Sequence, residues 1–287
     1  MSDVTAGVQG IITVDNDYVI AQTSGELTRS QAAIELNKKE AGFWGERIEG
    51  EASWSADLTT VYESSSNENL VGADGVASLA IDDGSGEEVV EGLQDVTASL
   101  EAEVNESADI DDPLWRYINV VGQSLTIDTS GTYRDPDESP AIEALMSAQE
   151  AGNSVDFTFT FGVIELVGTL RVGDWSLDFA ERGDDIAMDL QLHHDGPITR
   201  STGTLSTGQE AIMAAFFDRN LVGVDFQRIP GGQDPSEDDT PEDQTTVYSG
   251  DGYVTGLDLS VSRAEDLNSE ITIEGDGALD RSVYTAA

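Results

Sequence analysis

Apolar and polar side chains alternate one by one along much of this chain. Ser53-Trp54-Ser55-Ala56-Asp57-Leu58 shows the pattern most clearly, and it recurs over 125–128, 155–159, 175–179, 188–192, 257–261 and 271–273. A period of two turns one face toward a core and the other toward solvent, so each segment predicts a strand. Trp54, Trp175, Leu177, Phe179, Leu257 and Leu259 are expected on the buried faces, with Tyr62 and Tyr133 closing two of the strands. Two segments break the alternation. Pro140 to Met146 predicts a short helix, with Ser139 as N-cap, Pro140 at the first helical position and Gly152 as its stop. Gln209 to Phe217 predicts a second, capped by Thr207. The expected fold class is mainly β with short helices (α+β), not an alternating βαβ array.

The pattern also repeats over longer distances. Trp44, Ser53-Trp54-Ser55-Ala56-Asp57 and Tyr62 recur as Trp115, Ser124-Leu125-Thr126-Ile127-Asp128 and Tyr133, 71 positions later throughout. Ala141-Ile142 and Val155-Asp156-Phe157 recur as Ala211-Ile212 and Val224-Asp225-Phe226. Gly168, Trp175, Leu177 and Asp195-Gly196 recur as Gly250, Leu257, Leu259 and Asp276-Gly277, with one-residue gaps. The order is therefore first half, first half, second half, second half. It predicts one unit (88–199) nested in another that is split as 1–75 and 200–287, with 76–87 as a linker. Two units with exchanged halves fit the same order. The acid-, Gly- and Pro-rich stretch 230–249 is expected to be a mobile loop.

Charge changes the picture next. The 287 residues carry 57 Asp+Glu against 13 Lys+Arg, a formal net charge of −44, and only Lys38 and Lys39 are lysines. Such a surface repels phosphate and anionic lipid, which argues against a nucleic-acid reader and a membrane binder. With 38% hydrophobic residues the chain is not a disordered acidic tract. Acid enrichment with lysine almost absent reads as adaptation to a cytoplasm of very high salt, where the Debye length falls to about 3 Å and self-repulsion is screened. The first residues show no basic and apolar leader pattern.

Candidate chemistry is sparse. There is no cysteine, so disulfides, thiolate metal sites and cysteine nucleophiles are excluded. His193 and His194 are adjacent, and on a strand they point to opposite faces, which does not converge on one metal ion. No nucleophile elbow, phosphate loop or dinucleotide fingerprint occurs. We therefore expect no catalytic residue, cofactor or metal.

The residues of the repeat do carry a resemblance. Ala21-Gln22-Thr23-Ser24-Gly25-Glu26-Leu27 is followed by Glu40-Ala41-Gly42-Phe43-Trp44-Gly45-Glu46-Arg47, then by Ser53-Trp54-Ser55 and Tyr62. The second copy runs Gly92-Leu93-Gln94-Asp95 through Asp112-Pro113-Leu114-Trp115-Arg116 to Ser124 and Tyr133, and the chain closes on Gly275-Asp276-Gly277-Ala278-Leu279. This resembles the major tail (tail tube) proteins of long-tailed double-stranded DNA viruses, here of a halophilic (haloarchaeal) virus type. Trp54 is replaced by Leu125 in the second copy, and 64–87 has no counterpart.

The resemblance implies duplicated β-sandwich or half-barrel units that assemble a ring-shaped β-barrel. It implies a virion structural protein of the tail, not an enzyme. Rings would stack into a tube that conducts viral DNA through its lumen without specific binding. The partners would be further copies of the chain and other tail proteins, with assembly in the host cytoplasm and no membrane. Two units per chain favour a trimer with pseudo-six-fold symmetry, with a hexamer as the alternative. The segments 37–51 and 105–123 are expected to be long loops making ring-to-ring contacts through Phe43, Trp44, Arg47, Trp115, Arg116 and Tyr117, since aromatic and Arg side chains dominate interfaces. Competing readings are another tail or baseplate structural protein on the same fold, or a halophilic β-sandwich binding module or glycosidase.

Overall fold

A computed structural model of the chain describes residues 9–15, 17–19, 22–36, 46–61, 77–82, 84, 86–107, 115–133, 139–178, 186–203, 205, 207–229, 245–262 and 267–285. In chain order the strands are β1 (Gln9–Val14), β2 (Asp17–Tyr18), β3 (Gln22–Leu36), β4 (Glu46–Val61), β5 (Ala77–Asp82), β6 (Glu87–Val89), β7 (Leu93–Ser107) and β8 (Tyr117–Thr132). Helix α1 (Pro140–Ala151) precedes β9 (Val155–Phe161), β10 (Ile164–Asp178), β11 (Ala187–His194) and β12 (Thr199–Thr202). Helix α2 (Thr207–Asp218) precedes β13 (Leu221–Ile229), β14 (Thr246–Ser262), β15 (Asn268–Gly275) and β16 (Asp280–Val283). All sixteen strands belong to one sheet, and their paired neighbours are antiparallel. The mainly β class with two short helices is thus the fold observed.

The backbone of the fold is an eight-strand band in the order β3-β4-β15-β14-β7-β8-β11-β10. Residues directly opposite one another share a face. Gly25, Leu58, Ile271, Leu257, Leu100 and Leu125 follow one another across six of these strands on the core face. One residue along, Ser24, Thr59, Glu270, Asp258, Ser99, Thr126, His193 and Arg171 cross all eight, and every one is polar. The period of two in the sequence is this division between faces.

Every pairing outside the centre of the band occurs twice. β1 pairs β13 as β5 pairs β9; β13 pairs β14 as β9 pairs β10; β4 pairs β15 as β8 pairs β11. The two helices have the same length. α1 packs against β10, β5 and β6, and α2 against β14, β1, β13 and β2. One ladder, β7 with β14, joins the two sets of strands, helped by a bridge between Ala52 and Trp115.

The helix ends follow the sequence. Gly152 adopts φ +68° at the C-cap of α1 and its N–H bonds Ala148 and Gln149. Ser139 precedes Pro140 as expected but makes no side-chain cap bond; its Oγ accepts from the Glu91 N–H at 3.2 Å instead. Thr207, expected as the cap of α2, is the first residue of the helix.

Three expectations require correction. The 105–123 loop is not one: β7 continues to Ser107 and β8 starts at Tyr117, forming a long two-strand arm. In the other segment β4 already starts at Glu46. In the β7–β8 arm Ile118 is buried, and the Ile118-Asn119-Val120 alternation carries the strand into the segment read as a loop. Second, Ala77–Asp82, within the expected linker, is strand β5, with Leu79 and Ile81 buried. Third, Gly168 stands opposite Phe157 while Gly250 stands opposite Val224, so Val224 takes the place of Phe157, not of Val155. The helix-and-strand repeat is offset by 67 positions, the distance between Pro140 and Thr207 where the helices begin. Of the 230–249 stretch, residues 230–244 lie outside the described residues, and β14 starts at Thr246.

Candidate functional site

The eight-strand band ends on two strands with unpaired edges. β3 pairs only with β4 among the described residues. β10 pairs with β9 and β12 over its first half, but from Val172 to Asp178 it has β11 on one side and, among the described residues, no strand on the other. The equivalent stretch of β14, Val254–Ser260, has β15 on one side and, from Gly256 on, β7 on the other. The edge left vacant on β10 is therefore the kind of edge that β7 fills on β14. An unpaired edge presents a row of free N–H and C=O groups, a template for another strand.

Exposure follows from this. Leu257 and Leu259, expected in the core, are 2% and 1% exposed, covered by β7. Trp175, also expected in the core, is 41% exposed. Its register opposite Leu190 gives it a core-face position, but among the described residues no strand stands beyond β10 to cover it. Leu177 is half-buried against the core for the same reason. Trp54 is 3% exposed and Tyr133 half-buried against the core. Tyr62 and Phe179 lie outside the described residues.

Of the residues expected at ring-to-ring contacts, Phe43 and Trp44 lie outside the described residues, and Arg47 is placed only as backbone of β4. Trp115, Arg116 and Tyr117 make contacts inside the chain. The Arg116 N–H donates to the Ala52 carbonyl at 2.8 Å, and its own carbonyl accepts from Gly277 at 2.9 Å. Its guanidinium pairs with Glu274 and, at 3.5 Å, with Glu106. Trp115 is half-buried and lies under the Arg29 guanidinium, 5.2 Å from the ring centroid. Tyr117 sits against Gly277, whose φ is +91°. These three residues span the seam between the two sets of strands. The edge residues Arg29 and Trp175 carry no motif; the signal that could have found them is the comparison of the two copies, where Leu100 and Leu257 stand in their places.

The polar face is acidic and internally bonded. A cleft of about 540 Å³ over β7, β8, β11 and β10 is lined by Asp95, Asp128, Asp174, Asp189 and Trp175, among others. Gln191 donates to Asp128 at 2.8 Å, Ser130 to Asp95 at 2.9 Å and Ser176 to Asp189 at 3.2 Å. No group of three or more His, Asp or Glu among the described residues is placed to hold a metal ion. The histidines serve the structure: His194 Nδ1 accepts from the Leu125 N–H at 3.1 Å, and His193 Nδ1 lies 3.3 Å from Thr126 Oγ1. Hydrogen bonds from Ser154 and Arg171 hold the Asp195 carboxyl below its ordinary range. Burial, with Asp276 nearby, pushes the Tyr253 hydroxyl above its ordinary value. No described helix is long and apolar enough to cross a membrane.

No family model and no curated protein matches the sequence. Among solved structures, a chain from the virion of a native gene transfer agent particle is 16% identical with a TM-score of 0.39; the match covers 46% of this chain and 99% of that one. A chain from the tail of an empty gene transfer agent particle, with C6 symmetry, is 19% identical with a TM-score of 0.37, covering 45% of this chain and 96% of that one.

Proposed function

We propose that this chain is a structural protein of a virus-type tail, which pairs head to tail through its sheet edges into rings that stack as a tail tube. The observation that carries the reading is the pair of vacant edges: β3 at one end of the band and β10 at the other. The surface that a second copy would complete at each end is already completed once inside the chain, where β7 meets β14. Such a contact is heterologous and repeats until it closes. Closure removes both edges and with them the aggregation liability. The tail assignment itself comes from the sequence resemblance of the Gly/Trp, Ser-Trp-Ser and Gly-Asp-Gly segments to tail tube proteins.

The units are 1–75 with 203–287, and 88–202 extended toward the chain start by β5 and β6, so that β12 stays with its partner β10. Two units per chain give three copies for a pseudo-six-fold ring. Trp115 bridges Ala52 across the internal seam. Trp44, 71 positions earlier and flanked by Phe43 and Arg47, makes the corresponding contact to the neighbouring copy. The polar face of the band lines the lumen, where its carboxylates keep the DNA phosphates from adhering. In molar salt that repulsion reaches only a few ångströms. The role is mechanical, and the acidity suits a host cytoplasm of high salt.

Negative-stain microscopy of the purified protein at molar salt tests this. Uniform tubes with a regular axial repeat, and three chains per ring after averaging, are the expected result. Discrete monomers at every concentration would sink the assignment.

A further inference from the structure

We infer that the vacant edge of β10 over Asp174–Asp178 receives the vacant edge of β3 over Glu26–Ser30 from a second copy of this chain, antiparallel, with Trp175 opposite Arg29 and Leu177 opposite Leu27. The inference rests on the head-to-tail reading above and fixes its register.

The template is inside the molecule. Where β14 meets β7, Leu257 is opposite Leu100, Asp258 opposite Ser99 and Leu259 opposite Ala98. Taking β10 for β14 and β3 for β7 converts these pairs to Trp175 with Arg29, Ser176 with Thr28, and Leu177 with Leu27. The correspondence is set by the ladders. Trp175 is opposite Leu190, which is opposite Thr129; Leu257 is opposite Ile271, which is opposite Leu58, 71 positions before Thr129. Leu100 is opposite Leu125, and Arg29 is opposite Trp54, again 71 positions before.

Three observations converge on this joint. The first is exposure: Trp175 is 41% exposed where its counterpart Leu257 is 2% exposed, and among the described residues no strand lies beyond β10 as β7 lies beyond β14. The second is volume. Beside β3 a cleft of about 590 Å³ opens, lined by Gly25, Leu27, Arg29 and Tyr248. The cleft beside β7 measures about 40 Å³, and Val261 of β14, from across the internal joint, helps to line it. The third is chemistry. Arg29 is exposed, held over Trp115 at 5.2 Å, at the edge where Trp175 would arrive. An Arg beside a Trp is an attractive cross-strand pair. Leu–Leu inside and Arg–Trp between copies would also keep the two joints from being interchanged.

The absence of cysteine gives a clean test. Successive cross-strand pairs alternate between hydrogen-bonded and non-hydrogen-bonded geometry, and the two differ in how well they take a disulfide. Two double variants therefore cover both: Thr28→Cys with Ser176→Cys, and Leu27→Cys with Leu177→Cys. A third, Thr28→Cys with Asp178→Cys, is two residues out of register and too distant for a bond. Each is assembled at molar salt, viewed by microscopy, oxidised and run on a denaturing gel. The expected result is a reducible ladder for at least one in-register variant that stops at the number of chains in a ring, and monomer for the third. Rings or tubes that yield no in-register ladder, or that link through the third variant, would overturn the register while leaving the tail reading in place. If neither rings nor links form in any variant or in the parent chain, the proposed function falls and this joint falls with it.

Discussion

Trp54 lies directly over Gly275: a Cβ added to that glycine would sit 2.2 Å from Cε2 of the indole. Gly250 is almost as close, with its Cβ position 2.7 Å from Cζ2 of the same ring. The two glycines thus form the floor on which the ring of Trp54 is buried, with Phe226 edge-on at 6.5 Å. In the other copy the volume is distributed differently. Leu125 stands where Trp54 would be, and His194 takes the place of Gly275 and bonds the Leu125 backbone. A large residue on one strand and none on its neighbour has become a middle-sized residue on each.

The glycine at 275 should therefore be intolerant in one context only. Gly275→Ala should lower stability by about 1–3 kcal/mol through overpacking. Trp54→Leu alone leaves a cavity, whereas Trp54→Leu with Gly275→Ala imitates the second copy. Denaturant melts of the single and double variants measure this. The double variant should be more stable than the sum of the singles predicts; strict additivity would show that the two side chains do not share one space.

Asp195 gives a pH prediction whose sign is fixed. Its folded carboxyl lies below the ordinary range of an aspartate because Ser154 and, at 2.9 Å, Arg171 donate to it. A depressed carboxylate stabilises the fold above its unfolded value and loses that contribution as pH falls through the folded value. The loss thus belongs to strongly acidic solution, with nothing changing near neutrality. A carboxyl-carbon NMR titration should place its midpoint below that of an unstructured aspartate, and Arg171→Ala should move it upward. An unchanged midpoint in that variant would remove Arg171 as a cause.

Where the chain was legible, one face was buried and the other wet. Trp54 to Leu58, Leu257 to Val261 and Ile271 to Ile273 all lie in strands of the band, because their alternation is the pleat itself. The same physics hid β3, whereas β7 alternates over Val96, Ala98 and Leu100, all buried, and was legible in principle. At the core positions of β3 stand Gly25, Leu27 and Arg29, and no described strand beyond β3 buries them. Strand β1 was missed for the opposite reason: Ile11, Ile12, Thr13 and Val14 are all buried, which abolishes alternation. Trp175 misled because an aromatic in an alternating run reads as core, and sequence holds no sign that its strand is the last of the sheet. The seam contacts of Arg116 with Glu274 and Gly277 join residues far apart in sequence, and no spacing rule reaches them.

The pair of Arg29 and Trp175 should behave as a coupled unit in assembly, whereas in the free chain the two are uncoupled and Arg29 contributes only its contact with Trp115. Arg29→Leu or Trp175→Leu alone should raise the concentration required for tube growth. The double variant recreates the Leu100–Leu257 pair of the internal joint and should recover most of the loss. A coupling of about 1–2 kcal/mol is expected for a cation–π contact that becomes desolvated. Sedimentation at fixed molar salt gives the critical concentrations. Losses that add without recovery would mean that the two side chains never meet.

The joint also carries a like-charge pair, and this ties assembly to salt. In the register inferred above Glu26 stands opposite Asp178, where the internal joint has Thr97 opposite Ser260. Carboxylates directly opposite on neighbouring strands repel. Each chain adds a net charge of −44, so stacked rings repel as wholes too. Raising salt from 0.1 M to 1 M shortens the Debye length from about 10 Å to about 3 Å, which screens the second effect more than the closely spaced first. Tubes should therefore dissociate on dilution into low salt, and Glu26→Gln should hold together at lower salt than the parent chain. Glu87→Gln, exposed on β6, which pairs with β5 and not with β3 or β10, removes the same charge as a control. Light scattering against salt concentration measures the midpoints. Equal shifts in the two variants would mean that only total charge matters and that Glu26 has no special place, whereas a larger shift for Glu26→Gln locates the repulsion at the strand joint.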